Sequence, residues 1–302
     1  MQIENVSVVI PCYNAEAYIV EALDSVIAQT RPVSEIVVVN DGSTDNSLTL
    51  IEAFSARQAR GLVRIISQPN MGVATALTVS IENASHNHVI PMGADDLLHP
   101  RAVELLLNYA HLHPEHALIY GDYYLMDQAG NVTGEIRHSQ RRCDPLEGNI
   151  LATMLWENVT GAGNCIRRDA VLSVGGYLID PEISKTGTLA DVLLNYRLLL
   201  AGHTFGYVPE FIFYYRNTPG SVSKNRPQVQ AAMPRVMAEV FRMNPHITAE
   251  AFVQMRQWRA EQLRDSFLTI EARDQQIEGL LQEIEVARRY QRGLEERLEK
   301  CE

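Results

Sequence analysis

The strongest constraint on the fold is an alternation repeated four times in the first hundred residues. Each repeat is a short β-branched apolar run, a polar turn and an amphipathic helix. The runs at 6–10, 36–39, 63–66 and 89–92 are bounded by turn residues and rich in Val and Ile, as expected of strands buried on both faces. Between them, Ile19, Ala22, Leu23, Val26 and Ile27 share one helical face, and Leu48, Ile51 and Phe54 share another. A third helix is expected from Val73 to about Ala84. Strand and helix in alternation predict an α/β fold with a mostly parallel, doubly wound sheet. Ligands of such sheets bind beyond the C-terminal ends of the strands, so the turns at 11–14, 41–45 and 95–96 should meet along one edge.

Asp95 and Asp96 end the fourth run. Two carboxylates at the exposed end of a buried strand repel each other unless a cation lies between them and an anionic ligand, the arrangement of a divalent metal holding a diphosphate. Alternatively they cap a helix starting near Pro100. These residues alone leave both readings open. The turn after the second run has Gly42 for a tight bend and Ser43, Thr44 or Asp45 for a helix cap. No G-x-G-x-x-G follows the first run and no G-x-x-x-x-G-K-[ST] occurs, which argues against a dinucleotide fold and a P-loop. Gly161-Ala162-Gly163 reads as a tight turn in a loop.

The stretches VSVVIPCYNAEAYIVEALDSVIAQT, EIVVVNDGSTDNS, QPNMGVATAL and ADDLLHP, in this order and spacing, resemble family-2 glycosyltransferases of the GT-A fold, over residues 3–223. The resemblance implies an inverting transferase that moves a sugar from a nucleotide diphosphate donor, a UDP- or dTDP-sugar. It places Pro11, Tyr13, Asn14, Asp41, Gly72 and Asp95 around the nucleotide, with Asp41 accepting from the N3–H of the base. It makes Asp96 the direct ligand of Mn²⁺ or Mg²⁺ and Asp191 the general base that deprotonates the acceptor hydroxyl. It also implies that 158–164 packs under the donor sugar and that 117–127 leads into mixed strands on the acceptor side, with a hairpin-like turn at 128–131. Three positions depart from the common family pattern: Gly93 and Ala190 replace acids, and Thr218 replaces a histidine. Residues 182–189 read as a lid. Lys185 and Arg216 read either as phosphate-facing or as solvated surface charges. His111, His113 and His116 read as a solvated helix terminus.

A net charge of −11 argues against nucleic acid as a partner and against a broad anionic-membrane patch. No run is long enough to span a bilayer, the N-terminus lacks a signal-peptide pattern, and four cysteines without metal spacing suggest free thiols in a reducing compartment. The expected location is cytoplasmic, at most peripheral at the inner face of the plasma membrane, with a glycan or lipid-linked acceptor in bacterial surface polysaccharide assembly. The expected organisation is a GT-A glycosyltransferase domain at 1–225, a helical extension at 226–260 broken near Asn244-Pro245, and a coiled-coil-like helix at 261–302. Leu263, Ile270, Ile277 and Ile284 recur at intervals of seven and predict a homo-oligomer through that helix; the alternative is a lone helix folded back on the catalytic domain. A non-catalytic coiled-coil scaffold is the competing function, supported by Gly93, Ala190 and Thr218. A nucleotidyltransferase is a third, opposed by the absence of a Gly-rich basic loop after the first strand.

Overall fold

The computed structural model describes residues 5–138, 150–156, 160–161, 163–177, 189–218, 226–244, 246–248 and 250–255. The heptads of the tail, Lys185, most of the expected lid, Cys143 and Cys301 lie outside these residues. The chain divides into a unit Met1–Ala251 and a second unit Phe252–Glu302; the first carries every element named below.

The first half follows the alternation. Strands β1 (Val6–Cys12), β2 (Glu35–Asp41), β3 (Val63–Gln68) and β4 (His88–Pro91) are connected by helices α1 (Ile19–Ile27), α2 (Ser47–Ser55) and α3 (Val73–Asn83). All four strands run parallel, with Val8 paired to Ile36 on one side and Ile90 on the other, and Val38 paired to Ile65. Every residue of β2, and every residue of β1 except Pro11, is buried, which is why these strands read as continuous apolar runs. Helix α1 buries Ile19, Ala22, Leu23 and Val26, while Ile27, expected on the same face, is 38% exposed at the helix end.

Beyond β4 the sheet becomes mixed. After β5 (Leu97–Leu98) and α4 (Ala102–Leu112) come β6 (His116–Met126), β7 (Val132–Ile136), α5 (Ile150–Trp156), β8 (Cys165–Arg167), α6 (Arg168–Ser173), α7 (Ala190–Leu200), β9 (Thr204–Arg216) and α8 (Arg226–Met243). Among the described residues the strand order is β3-β2-β1-β4-β8-β6-β9-β5, with β7 on β6. β8 is antiparallel to both β4 and β6, so β6 and β9 again point the same way as β1 and β4. The β6–β7 hairpin closes at the expected turn, where Gly130 has φ 87° and the Asp127 carboxylate accepts the N–H groups of Ala129 and Asn131. After α8 the helix stops at Asn244, whose side chain accepts the N–H of Ile247, consistent with the expected break.

One core runs through both halves. It joins Ile10, Val38 and Ile90 of the parallel strands to Ile19 and Leu23 of α1, Leu106 and Leu107 of α4, and Ile212 and Phe213 of β9. Asp95 and Asp96 do not cap α4. Gln29, buried just past α1, accepts the Val103 N–H on its Oε1 at 3.1 Å and donates to the carbonyls of Ser25 and His99.

Candidate active site

The loops that leave β1, β2 and β3 at their C-terminal ends are tied to one another by hydrogen bonds. Asn14 holds a left-handed backbone (φ 49°), a conformation Asn tolerates better than most residues. Its N–H donates to Ser43 Oγ and its Oδ1 accepts the Thr44 N–H at 2.8 Å, joining the first loop to the second. Asp45, one of the three expected caps, accepts the Ser47 N–H and hydroxyl at the start of α2 and the Glu16 N–H from the first loop. Glu16 answers by accepting both nitrogens of Asn46 at 2.9 Å. Gly42 (φ 71°) lies so close to the third loop that a Cβ there would sit 2.7 Å from the Asn70 nitrogen.

Asp41 is the hub of this edge. It is 3% exposed, and three donors already hold it: Gln68 Nε2 at 2.7 Å and Met71 N at 2.9 Å on Oδ1, and Gly72 N at 2.9 Å on Oδ2. A carboxylate offers about four lone-pair sites, so one on Oδ2 is left for another donor. Pro11 stands near the C-terminal end of β1 and Tyr13 in the loop beyond it, with Tyr13 50% exposed. Cys12 is buried among them, and burial pushes its thiol up to about 11, which leaves it inert.

Asp95 and Asp96 lie at the end of β4, next to the end of β1, where the Met92 N–H donates to the Val9 carbonyl. Asp96 is 6% exposed, and its carboxyl is pushed up to about 8, first by burial and then by the charge of Asp95. Asp95 is also raised, by burial. The family-pattern acid missing at Gly93 has a geometric explanation. A Cβ at 93 would lie 2.7 Å from Asp96 Oδ2 and 2.8 Å from Asp95 Oδ1. Both carboxylates turn into the space that glycine leaves open. Thr218, where the family pattern has histidine, donates to Asp95 Oδ2 at 3.3 Å.

Arg216 fits neither sequence expectation, phosphate-facing or solvated. It is 1% exposed and spent on the fold: Nε donates to the Asp95 carbonyl, NH1 to the Gln128 carbonyl and NH2 to Glu21 at 2.6 Å, while the guanidinium stacks over Tyr18. Its backbone N–H donates to Asp96 Oδ1 at 2.9 Å. The end of β9 is thereby locked to α1, to the hairpin turn and to the carboxylate pair.

Asp191 occupies the first turn of α7, directly after Leu189, whose φ of 61° is left-handed for a residue with a branched side chain. Such a backbone costs about 1–3 kcal/mol and concentrates at functional sites. The Asp191 side chain reaches solvent, yet the protein crowded around it raises its carboxyl above the usual carboxylate range. One turn later Asn195 donates to Thr160 Oγ1 at 2.8 Å, fixing α7 to the described part of the 158–164 loop. In that loop Gly161 (φ 59°) lies against Tyr123 and His138, and Gly163 (φ 73°) against Phe213; a Cβ at 163 would come within 2.3 Å of that ring. Both glycines are thus held to positive φ and to close approach on β6 and β9, while Ala162 lies outside the described residues.

The structure thus gathers Pro11, Tyr13, Asn14, Asp41 and Gly72 at one sheet edge, with Asp95 and Asp96 in the turn that follows β4. The helix that carries Asp191 is tied to Thr160 of the 158–164 loop through Asn195. Glu16 and Gln68 join the site unforeseen, and Gly93 gains a role as the space into which both carboxylates turn. Only their three-dimensional neighbours give them a role, although the capacity of Glu16 and Gln68 to bond back to loop N–H groups was visible in their side chains.

Residues 7–171 match the family model described as Glycosyl transferase family 2. The chain is 29% identical over 229 residues to glycosyltransferase GlyA of Streptococcus pneumoniae, covering 73% of this chain and 32% of that protein. It is 41% identical over 102 residues to the chondroitin synthase of Pasteurella multocida, covering 34% of this chain and 10% of that protein. It therefore spans a third or less of the length of these relatives. The crystal structure of S. aureus TarS 1–349 in complex with UDP-GlcNAc shares the fold, with a TM-score of 0.60 at 18% identity over 83% of this chain and 71% of that one.

Proposed function

The chain belongs to glycosyl transferase family 2, and from that membership we propose that it transfers a sugar, with inversion, from a UDP- or dTDP-linked donor to a hydroxyl of a glycan or lipid-linked acceptor. UDP is favoured as carrier because TarS, which shares the fold, has been crystallised with UDP and with UDP-GlcNAc. Bacterial surface polysaccharide assembly is the proposed setting, in keeping with the polysaccharide synthases among the relatives. Among the described residues no helix is long and apolar enough to cross a membrane, and peripheral contact with a lipid-linked acceptor is part of the proposal. The tail at 261–302 is proposed to self-associate.

The observation that carries this reading is the convergence of Asp95 Oδ1 and Asp96 Oδ2 on the gap beside Gly93, next to the knitted loops of β1–β3. Asp96 is buried and Asp95 partly so, and two such neighbouring carboxylates do not both ionise readily without a cation. The nearest guanidinium, that of Arg216, is directed at other acceptors. Hard carboxylate oxygens of this kind suit Mn²⁺ or Mg²⁺, so the residues fit the metal, with Asp96 as direct ligand and Asp95 toward metal or ribose. When bound, the dication supplies charge neutralisation to the leaving diphosphate.

The chain's own residues do the rest. The free lone pair on Asp41 Oδ2 accepts the imide N–H of uracil or thymine, while Tyr13, Pro11, Asn14 and Gly72 shape the nucleotide's walls. Asp191 removes the acceptor proton as the hydroxyl attacks. Its raised basicity suits that task better than an ordinary surface carboxylate would. Thr218 and the Arg216 N–H orient the Asp95–Asp96 pair.

The direct test is UDP release from a panel of UDP-sugars, with and without Mn²⁺, by wild type and Asp191→Asn, alongside calorimetry with UDP alone. UDP binding, turnover on at least one donor and its loss in Asp191→Asn are expected. Failure to bind UDP or dTDP in the presence of Mn²⁺ would overturn the donor assignment. Binding without turnover that is identical in the variant would support the scaffold reading instead.

A further inference from the structure

His113, Glu115 and His116 form a compact group of metal-ligating side chains at the end of the sheet away from the transfer site. Reading them as a solvated helix end overlooks how the chain folds here. α4 ends at Leu112 with His113 as its C-cap, Pro114 stiffens the turn, and β6 begins at His116, so residues two and three apart face one another. Their ligand atoms all lie within 4.8 Å of each other. Glu115 Oε1 is 3.3 Å from His113 Nδ1 and 3.6 Å from His116 Nε2. Ligands of a tetrahedral ion bound at about 2.1 Å stand about 3.4 Å apart.

Hydrogen-bond accounting places a hydrogen on His116 Nδ1. The Thr204 hydroxyl has one proton, and it donates that proton to the Glu115 carbonyl at 3.2 Å. The same oxygen is 2.9 Å from His116 Nδ1. Both bonds form together only if Nδ1 carries a hydrogen and donates it to Thr204. In the neutral ring, Nε2 then presents a lone pair toward a carboxylate oxygen 3.6 Å away. Two acceptors face each other there, and a cation between them resolves the repulsion. An imidazole whose far N–H is anchored by a hydroxyl is the usual outer-shell arrangement of a metal-binding histidine. Packing also holds the ring, because Gly206 leaves so little room that a Cβ there would sit 2.7 Å from His116 Cδ2 and 2.4 Å from Tyr109 Cε1. The turn itself is pinned by Arg167 NH1, which donates to the Pro114 carbonyl.

We propose that His113 Nδ1, Glu115 Oε1 and His116 Nε2 bind one borderline transition-metal dication of the Zn²⁺ class, with solvent in the remaining position. Two imidazoles and one carboxylate favour such an ion over Mg²⁺ or Mn²⁺. β6 extends from His116 to Met126, which pairs with Arg216 beside the Asp95–Asp96 pair, so the two sites lie roughly 30 Å apart. The bound ion is structural. It fastens the end of α4 to the start of β6 and, through Thr204, to the start of β9.

The test is Co²⁺ titration of the full-length, metal-stripped Asp96→Asn protein, followed by visible absorption and by Zn²⁺ displacement. That background removes the carboxylate site as a competitor. One Co²⁺ per chain with low-coordinate absorption bands is expected, displaced by one Zn²⁺. His113→Ala or His116→Ala should weaken binding more than tenfold, and Thr204→Val, which leaves every ligand in place, about tenfold. Thermal unfolding of the parent should shift upward with Zn²⁺, and that of the His variants should not. Glu115→Gln, an exposed isosteric change, serves if a His variant does not fold. No Co²⁺ binding by the parent, or unchanged affinity in His116→Ala or Glu115→Gln, overturns the site.

Discussion

Two buried carboxylate groups sit at opposite ends of the same parallel strands and have opposite electrostatics. At the N-terminal end, Glu35 of β2 is 5% exposed and surrounded by donors: Ser7 Oγ at 2.7 Å, Ser85 N and Oγ at 2.8 and 2.9 Å, and Arg64 at 3.1 Å. Burial alone would raise its carboxyl, but the Ser85 and Ser7 hydrogen bonds and Arg64 outweigh burial and hold it below the usual range. At the C-terminal end, Asp96 is buried to a similar degree, but its backbone donors and the charge of Arg216 do not outweigh burial and the neighbouring charge of Asp95, and its carboxyl is raised. The first cluster is complete by itself and stabilises the fold. The second is left short of positive charge, which is the condition for binding a cation rather than for stability.

The largest expected effects come from breaking the incomplete end. Asp191→Asn and Asp96→Asn should each lower turnover by about 10²–10⁴-fold, as loss of a proton acceptor or of a metal ligand does. Neither should unfold the protein. For Asp96 the folded state holds its proton more tightly than the unfolded chain, so stability contributed by this group is lost as pH rises from about 4 through about 8. Thermal melts in chelator from pH 4 to 9 should therefore decline on the alkaline side, and Asp96→Asn should flatten that decline. An unchanged alkaline limb in the variant would mean that the pair is not the source of the charge deficit.

Gly93→Ala sharpens the same contrast without removing a charge. Its Cβ would collide with both carboxylates, so they must rotate or the strand end must shift, at a cost of about 1–3 kcal/mol. Donor-dependent turnover should fall about ten- to a hundredfold. Wild-type activity in this variant would show that the carboxylates act in an orientation that leaves the gap open.

Glu35→Gln breaks the complete end. The amide would place donors against Ser85 or Ser7, at a cost of about 1–3 kcal/mol in stability. Because the folded carboxyl is depressed, its contribution is present above the unfolded value and lost as pH falls below it, the reverse of Asp96. Chemical denaturation at pH 7 should show the loss, and the acid limb of the melting profile should flatten. Turnover per folded molecule should stay at the wild-type level.

The two ends also differ in how much of them the chain discloses. The parallel strands and their turns were legible because strands buried on both faces must be apolar, and because Gly and Asn mark the bends. Asp41, Asp95 and Asp96 could be placed at one edge from topology alone. Arg216 could not: its acceptors are the Asp95 and Gln128 carbonyls and Glu21, which is 195 residues distant, and carbonyl partners leave no trace in side-chain chemistry. Gly93 looked like a lost acid until the neighbouring carboxylates were seen to fill its place. His113 and His116 read as a solvated terminus because periodicity describes the helix that ends there and not the turn back into β6.

Thr218→Val is the smallest perturbation and the most discriminating for the site. Thr218 replaces the family's histidine and makes one hydrogen bond, to Asp95 Oδ2 at 3.3 Å. Its removal should cost about 1 kcal/mol of orientation, a several-fold rise in the Mn²⁺ concentration needed for half-maximal turnover, with saturating turnover nearly unchanged. Thr218→His would add an imidazole nitrogen beside the carboxylate oxygens of the pair. If it shifts the preferred metal toward Zn²⁺ or Co²⁺ while Thr218→Val only weakens Mn²⁺, then position 218 tunes the carboxylate pair from its edge. If neither variant alters the metal response, the Thr218 hydroxyl merely closes the strand, and Asp95 and Asp96 alone set the charge of that end of the sheet.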